Sequence, residues 1–217
     1  MTDYTLTIDI DPGGVAILNE TQENVVILKE NPGPTGSYTA WVTNLPATTI
    51  TVTWQDDYEV YSSTTNVQNG AVVVADNPQE AEGGYLYTFS GSTFDGGTSG
   101  TLLPTQYGVN NQDQQYKING ISQITTGLLQ SATVNGTSLG NPLNAVLLPY
   151  NQQAIFTPIE KIYVFPAAMM QNAAVITEIT GNACVVDLTE SSTQAIHYDD
   201  NKNQFVPGKL AATAGRR

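Results

Sequence analysis

Few side chains in this sequence could transfer a proton, attack a carbon atom or bind a metal ion. The chain holds one cysteine, Cys184, one histidine, His197, and 7 Lys plus Arg against 20 Asp plus Glu. Cys184 and His197 lie in strand-like segments without a catalytic signature, and one residue of each type cannot form the usual zinc site. The sequence also has no Gly-x-Ser-x-Gly elbow, Walker loop or dinucleotide-binding glycine pattern. These observations argue against thiol, serine-hydrolase, zinc and nucleotide-dependent chemistry.

Carboxylates are the most abundant groups that could act as acids or bases. A glycosidase needs two of them about 5 to 10 Å apart, one with a raised pKa. Because most carboxylates of an acidic protein are solvated, a carboxylate-dependent glycosidase is the third alternative for function. The candidates cluster in three segments, namely Asp56, Asp57 and Glu59; Glu80 and Glu82; and Asp199 and Asp200.

Two acidic segments resemble parts of a calcium site. Residues 199–203 read Asp-Asp-Asn-Lys-Asn, but they lack the Gly and the bidentate Glu of a calcium loop, and Lys202 intrudes. We interpret this segment as a hairpin turn. Asp9 and Asp11 are interpreted as a strand end and a turn. No metal-binding residues are assigned, and calcium stays an alternative cofactor.

Aromatic side chains form the most informative set. They alternate with Thr, Ser, Asn and Gln, and rings beside amide and hydroxyl groups bind sugars or flat conjugated molecules. The same rings could instead fill a core and form hydrogen bonds at its rim. We predict that they line a ligand pocket formed by Trp41, Trp54, Tyr58, Tyr61, Tyr85, Tyr87, Tyr107 and Tyr116.

The charge of the chain excludes some partners. The formal net charge is −13, and nucleic-acid binding needs clustered Lys and Arg. The N-terminal segment does not resemble a signal peptide, and no apolar run reaches the roughly 20 residues of a membrane span. We expect a cytoplasmic protein that binds neither nucleic acid nor membrane. Homodimer formation through an exposed sheet edge is left open.

Alternation of apolar and polar residues predicts strands with one buried face. It is clearest at 4–10, 50–54 and 85–89, while the apolar runs 25–28 and 72–74 predict strands buried on both sides. No stretch shows a helical pattern with caps, and the best candidate, residues 166–172, is short enough to be a turn. We therefore predict an all-β fold, an antiparallel β-sandwich without substantial helix.

The chain is predicted to form a single domain over residues 1–207. Residues 91–111 are rich in Gly, Ser, Thr and Asn and are predicted to be a loop, which is the only candidate domain boundary. Residues 208–217 carry three of the seven basic residues and are predicted to be a flexible tail. This division leaves every candidate ligand residue in one domain.

The last quarter of the chain resembles fungal β-sandwich proteins that have no signal peptide. The similar segments are 160–165, 174–179, 185–189 and 194–199, and the size and acidity resemble the pink chromoproteins of oyster mushrooms. The resemblance implies a non-enzymatic carrier that encloses a small conjugated chromophore without a covalent bond. It supplies no ligand motif, so the candidate site rests on the aromatic residues alone.

We therefore predict a non-enzymatic protein that binds a small molecule, a chromophore or pigment, in an aromatic and amide-lined pocket. The alternative is a carbohydrate-binding, lectin-like or defence protein. In that alternative Trp41 or Trp54 would stack on a sugar ring, and Asp or Asn would bind its hydroxyl groups.

Overall fold

Strands dominate the computed structural model, which describes residues 2–33, 36–179 and 181–210. One short α-helix accompanies them within these ranges, so the all-β prediction is confirmed. The elements in chain order are β1 (Asp3–Asp9), α1 (Pro12–Glu20), β2 (Glu23–Lys29), β3 (Ser37–Thr39), β4 (Val42–Asn44), β5 (Thr49–Gln55), β6 (Tyr58–Ser63), β7 (Asp76–Ala81), β8 (Tyr85–Ser90), β9 (Thr93–Phe94), β10 (Thr98–Ser99), β11 (Tyr107–Asn111), β12 (Lys117–Ile118), β13 (Ile121–Val134), β14 (Thr137–Pro142), β15 (Asn144–Pro149), β16 (Gln152–Phe156), β17 (Lys161–Ala168), β18 (Val175–Ile176), β19 (Cys184–Asp187), β20 (Thr193–Asp199) and β21 (Gln204–Pro207).

The described strands form three sheets. The largest has 12 strands, with the main order β18-β3-β15-β13-β5-β1-β20-β21. A 5-stranded sheet has the main order β10-β8-β11-β16, and a 4-stranded sheet has the order β19-β17-β2-β4. Most pairs are antiparallel, but β1 pairs with β20 and β11 pairs with β8 in parallel. The predominantly antiparallel pairing agrees with the prediction, and these two parallel pairs are additions to it.

Strand β13 is the central strand of the large sheet. Its 14 residues pair with β5, β6, β12, β14 and β15. The buried hydroxyl groups of Thr125 and Thr126 donate to the backbone carbonyls of Thr65 and Tyr61, so burial leaves neither without a partner. The same strand carries Gln130 into the interior, where 1% of the residue is exposed.

A single hydrophobic cluster joins the three sheets. It contains Leu6 and Leu128 from the large sheet, Phe89 from the 5-stranded sheet, and Ile27 and Val164 from the 4-stranded sheet. Side chains of all three sheets therefore share one core. A sandwich arrangement of these sheets stays a prediction.

The two apolar runs behave differently. Residues 25–28 lie in β2 and are at most 1% exposed, as predicted. Residues 72–74 form only an isolated bridge between Val72 and Ala174. Val73 is buried, but Val72 is 41% exposed and Val74 is 61% exposed, so the prediction of a fully buried strand is wrong there.

Helix α1 was not predicted. Asp11 is its N-cap, with Oδ1 accepting the Gly14 N–H at 2.7 Å, and Pro12 occupies the first turn. The side chain of Leu18, a residue of this helix, is fully buried. A Cβ added to Gly14 would lie 2.7 Å from Tyr198 Cδ1, so this glycine lets the helix approach β20 closely. Asp11 is therefore a cap rather than part of a simple turn.

Three further segment predictions have mixed outcomes. The predicted loop 91–111 contains β9, β10 and β11, and β11 pairs with both β8 and β16, so the loop prediction is wrong for these strands. The first residues of 166–172 continue β17 through Ala168 instead of forming a turn. The hairpin turn at 199–203 is confirmed, because β20 and β21 pair across it. Of the predicted tail, residues 211–217 lie outside the described residues.

Candidate functional site

The structure divides the eight aromatic residues predicted to bind a ligand into three groups. Tyr58, Tyr85 and Tyr87 line a surface cleft. Trp41 and Trp54, together with Tyr58, surround the buried side chain of Lys29. The remaining three pack in or beside the core. The predicted set therefore does not form one pocket.

The cleft lies between the large sheet and the 5-stranded sheet and has a volume of about 450 Å³. Tyr58 and Glu59 come from β6, which alternates buried and less buried positions in this stretch. The facing wall comes from Tyr85 and Tyr87 of β8, whose alternation brings both rings to one side of the strand. The volume falls within the range typical of small-molecule sites.

Four carboxylates line this cleft, namely those of Asp57, Glu59, Glu80 and Glu82. Glu59 and Glu80 are directly opposite in the antiparallel β6–β7 pair. Burial raises the pKa of the Glu59 carboxyl, and the nearby charges of Glu80 and Asp57 raise it further. Among the described residues that line the cleft there is no Lys, Arg or His. The cleft is therefore an acidic environment.

The three tyrosines of the cleft have different roles. Tyr87 is 2% exposed, and its Oη accepts the backbone N–H of Glu82 at 2.7 Å. The Tyr85 ring is half-buried and lies 6.3 Å from the Tyr87 ring, with 29° between their planes. Burial raises the pKa of Tyr87, which further favours its neutral hydroxyl. Tyr85 thus offers the ring face that a ligand could contact.

Gln79 is the amide side chain of the cleft lining. The cleft lining thus combines tyrosine rings with one amide side chain, and carboxylates stand where the sequence led us to expect mostly amides. The carboxylates of 57–59 and 80–82 were visible in the sequence as separate clusters. The pairing of β6 with β7 is what joins them.

Lys29 is the least expected residue of the interior. It ends β2 and is 1% exposed, although its side chain ends in an amine. Its Nζ lies 5.4 Å from the ring centroids of Trp41 and Trp54 and 5.8 Å from that of Tyr58. Rings at such distances stabilise a cation through their quadrupoles. Desolvation lowers the pKa of Lys29, against the opposing effect of Glu160.

Glu160 is the counterion of Lys29. Nζ lies 2.8 Å from each carboxylate oxygen, and Trp54 Nε1 and the Tyr58 hydroxyl also donate to this carboxylate, at 3.0 and 2.7 Å. Gln130 Oε1 accepts a further bond from Nζ at 2.8 Å. Such partners compensate a buried charge for the hydration that it loses. Sequence reasoning assigned Lys29, Gln130 and Glu160 no functional or structural role.

The two tryptophans are not placed to stack on a sugar. Trp41 is fully buried, and its Nε1 donates to the backbone carbonyl of Gln130 at 3.0 Å. Trp54 is 4% exposed, and the Tyr4 ring stacks on it at 5.5 Å. The sugar-stacking role expected for these residues in a lectin would require Tyr4 and the core to move.

Three other predicted ligand residues pack against protein. Tyr107 contacts Tyr58 edge to face, with ring centroids 5.2 Å apart. Tyr61 is fully buried and donates its hydroxyl to the backbone carbonyl of Asn144 at 2.7 Å. Tyr116 packs against Phe89 at 5.4 Å. Tyr107 contacts the cleft residue Tyr58, whereas Tyr61 is a core residue and Tyr116 is partly buried against the core.

The rest of the described structure gives less evidence of a binding site. A cleft of about 520 Å³ beside β15 and β16 is mainly apolar and contains none of the predicted ligand residues. The described residues include no group of three or more His, Cys, Asp or Glu arranged to hold a metal ion. In the same residues, no helix has the length and apolar character needed to span a membrane.

No protein-family model, curated protein or solved structure matches this chain. The resemblance to fungal chromoproteins therefore stays a prediction, and functional inference rests on the geometry of the cleft.

Proposed function

We propose that this protein is a non-enzymatic binding protein for a small aromatic molecule, a pigment being one case, and that the ligand occupies the cleft between β6, β7 and β8. The observation that supports this is the combination of a 450 Å³ volume, tyrosine rings and four carboxylates in one lining. The volume accommodates a molecule of a few rings.

The half-buried ring of Tyr85 supports an aromatic ligand. Its face is next to the buried Tyr87, and offset stacking of rings contributes about 0.5 to 1.5 kcal/mol beyond the burial of surface. Tyr87 cannot move freely, because its Oη is bonded to Glu82 and a Cβ on Gly97 would lie 2.8 Å from its ring. A fixed ring loses little conformational entropy when a ligand binds.

The carboxylates support a ligand that carries a positive charge or several hydrogen-bond donors. Glu59, Glu80 and Asp57 can only accept hydrogen bonds when ionised. A ligand with an ammonium or amidine group would relieve the repulsion between Glu59 and Glu80, which face each other across the strand pair. An anionic ligand would be repelled.

Calorimetry with three indole compounds of similar shape tests this proposal. Tryptamine is cationic, indole-3-acetamide is neutral and indole-3-acetate is anionic. We expect affinity to fall in that order. Tyr85→Ala should weaken tryptamine binding by about 3- to 10-fold, from the loss of ring stacking. Glu80→Gln should weaken tryptamine more than indole-3-acetamide, whereas Glu190→Gln, an exposed change outside the cleft, should leave all three unchanged.

Binding of none of the three compounds, or binding that Tyr85→Ala leaves intact, would contradict the proposal. The absorption spectrum of protein purified from its native source, with mass spectrometry of any released molecule, tests the pigment case separately. A colourless preparation without a bound small molecule would remove that case and leave the binding experiment as the test of the cleft.

A carboxylate-dependent glycosidase is a second candidate that one observation favours. Directly opposed residues in an antiparallel pair have Cβ atoms about 4.5 to 5.5 Å apart, so Glu59 and Glu80 could present carboxyl groups at the spacing that glycosidases use. The raised pKa of Glu59 suits a general acid. Hydrolysis of nitrophenyl glycosides that is lost in both Glu59→Gln and Glu80→Gln would establish it; no hydrolysis by the wild type would dispose of it.

A further inference from the structure

Lys29 Nζ lies against a side-chain amide and a carboxylate that come from distant parts of the chain. It is 2.8 Å from Gln130 Oε1 and 2.8 Å from each carboxylate oxygen of Glu160. Because a C=O bond is about 1.2 Å long, Cδ of Gln130 lies no more than about 4 Å from Nζ. Reacting atoms meet at about 3 to 3.5 Å, so a small shift brings the amine to the carbon of this amide.

The surroundings hold these groups in place and keep water away. Lys29 and Gln130 are each 1% exposed, and the rings of Trp41, Trp54 and Tyr58 enclose Nζ. Gln130 Nε2 donates to a backbone carbonyl of the neighbouring strand β5, which fixes the plane of the amide. Burial favours the neutral form of the Lys29 amine by lowering its pKa, and only the neutral form has a lone pair for attack.

We propose that Lys29 and Gln130 form an intramolecular isopeptide bond in the folded protein, with Glu160 carrying the protons. This proposal does not rest on the binding of a ligand in the cleft, although Tyr58 contacts both places. Lys29 is the amine nucleophile, Gln130 is the amide acyl donor and Glu160 is the carboxylate base. Gln130 and Glu160 both lie within hydrogen-bonding distance of Lys29 Nζ.

The reaction balances without an oxidant or a cofactor. Glu160 accepts one proton from the Lys29 ammonium, and the neutral Nζ attacks Cδ of Gln130 to form the Nζ–Cδ bond. As the Cδ–Nε2 bond breaks, Glu160 gives its proton to Nε2, which leaves as ammonia, and takes a second proton from Nζ. The ammonia takes up that proton. The products are the secondary amide, an ammonium ion and the Glu160 carboxylate.

The bond would connect two sheets. Lys29 ends β2 in the 4-stranded sheet, and Gln130 lies in β13 of the large sheet, 101 residues further along the chain. A covalent link across such a separation restricts the unfolded chain and so opposes separation of the sheets.

Mass spectrometry of the intact, denatured wild-type chain tests the proposal directly. We expect a mass lower than that of the sequence by one ammonia, and a proteolytic digest should yield a branched peptide that joins the segments of Lys29 and Gln130. An unchanged mass would overturn the proposal. A loss of one water with a branch between Lys29 and Glu160 would also overturn it, because Glu160 would then be the acyl donor.

Variants assign the roles. Lys29→Arg keeps the charge but cannot form the bond, and Glu160→Ala removes the proton carrier, so both should have the full mass of their sequences. Lys161→Arg is the matched control, because Lys161 is partly exposed and lies 3.8 Å from Glu30 instead. It should retain the ammonia loss. Retention of the loss in Lys29→Arg would contradict the assignment, and the wild-type result stands even if a variant does not fold.

Discussion

Lys29 Nζ and Glu160 Oε2 lie 2.8 Å apart, with side-chain exposures of 1% and 11%. Removal of one member of such a pair leaves the other buried without compensation. Glu160→Ala is therefore expected to lower the free energy of unfolding by about 3 to 5 kcal/mol. It also removes the acceptor of the Trp54 and Tyr58 hydrogen bonds. Urea-induced unfolding, followed by tryptophan fluorescence, measures the change.

The double variant Lys29→Met/Glu160→Ala is the control for this prediction. It removes the uncompensated ammonium group and should recover part of the lost stability, since apolar side chains tolerate this environment. Equal stability of Glu160→Ala and the wild type would show that the Glu160 carboxylate does not stabilise this part of the interior.

Glu59 should make stability depend on pH. Its pKa is raised in the folded protein above the ordinary value for Glu, mainly by burial and then by the charges of Glu80 and Asp57. The folded state therefore binds the proton more tightly than the unfolded state, and this contribution to stability is present below about pH 4.5 and is lost as the pH rises through the folded-state pKa. Glu59→Gln should be more stable than the wild type near neutral pH, by roughly 0.5 kcal/mol after solvent screening.

Unfolding of Glu59→Gln and wild type in urea at neutral and at acidic pH measures this difference. The stabilisation should disappear at the acidic pH, where the wild-type carboxyl is protonated. Glu178→Gln, at an exposed position outside the cleft, should show no such trend. A stabilisation that is equal at both pH values would argue against repulsion as its cause.

Gly14 should tolerate no side chain, despite the better helix propensity of alanine. A Cβ at this position would lie 2.7 Å from Tyr198 Cδ1 and 3.0 Å from Ile10 Cγ2. Gly14→Ala is expected to cost about 1 to 3 kcal/mol through overpacking. Thermal unfolding measures the cost. Gly181→Ala, where no atom lies within 4 Å, should be nearly neutral, and a stabilised Gly14→Ala would contradict the close packing of α1 on β20.

Cys184 should be unreactive in the native protein. It is 6% exposed in β19, and desolvation raises the pKa of its thiol, which reduces the thiolate that reacts. Modification by a chromogenic disulfide reagent is expected to be slow in buffer and fast after addition of urea. Fast labelling of the folded chain would mean that this thiol is accessible, and would reopen the question of thiol chemistry.

Strands were predictable where neighbouring residues carry the signal. Leu6 and Ile8 of β1 and Ile50 and Val52 of β5 alternate with polar residues, and all four are fully buried. Helix α1 was not predicted, because two glycines follow Pro12 and weaken the helical pattern, although the Asp-Pro cap signal was present.

The buried contacts of Lys29 could not be predicted from the sequence. Lys29 directly follows a fully buried apolar run, but this position alone does not predict that a lysine is buried. Its partners Gln130 and Glu160 lie 101 and 131 residues away, and no local pattern connects them. The same applies to the cleft, because the register of β6 against β7 decides that Glu59 faces Glu80.

The strand connectivity of the large sheet has a consequence for the folding rate of the chain. β13 pairs with β5 and β6 from far upstream, and β1 pairs with β20, so most contacts form only after long loops close. Chains dominated by such distant pairings refold slowly, over milliseconds to seconds. During synthesis on the ribosome, β1 would wait for its neighbour β20 until the segment Thr193–Asp199 had emerged.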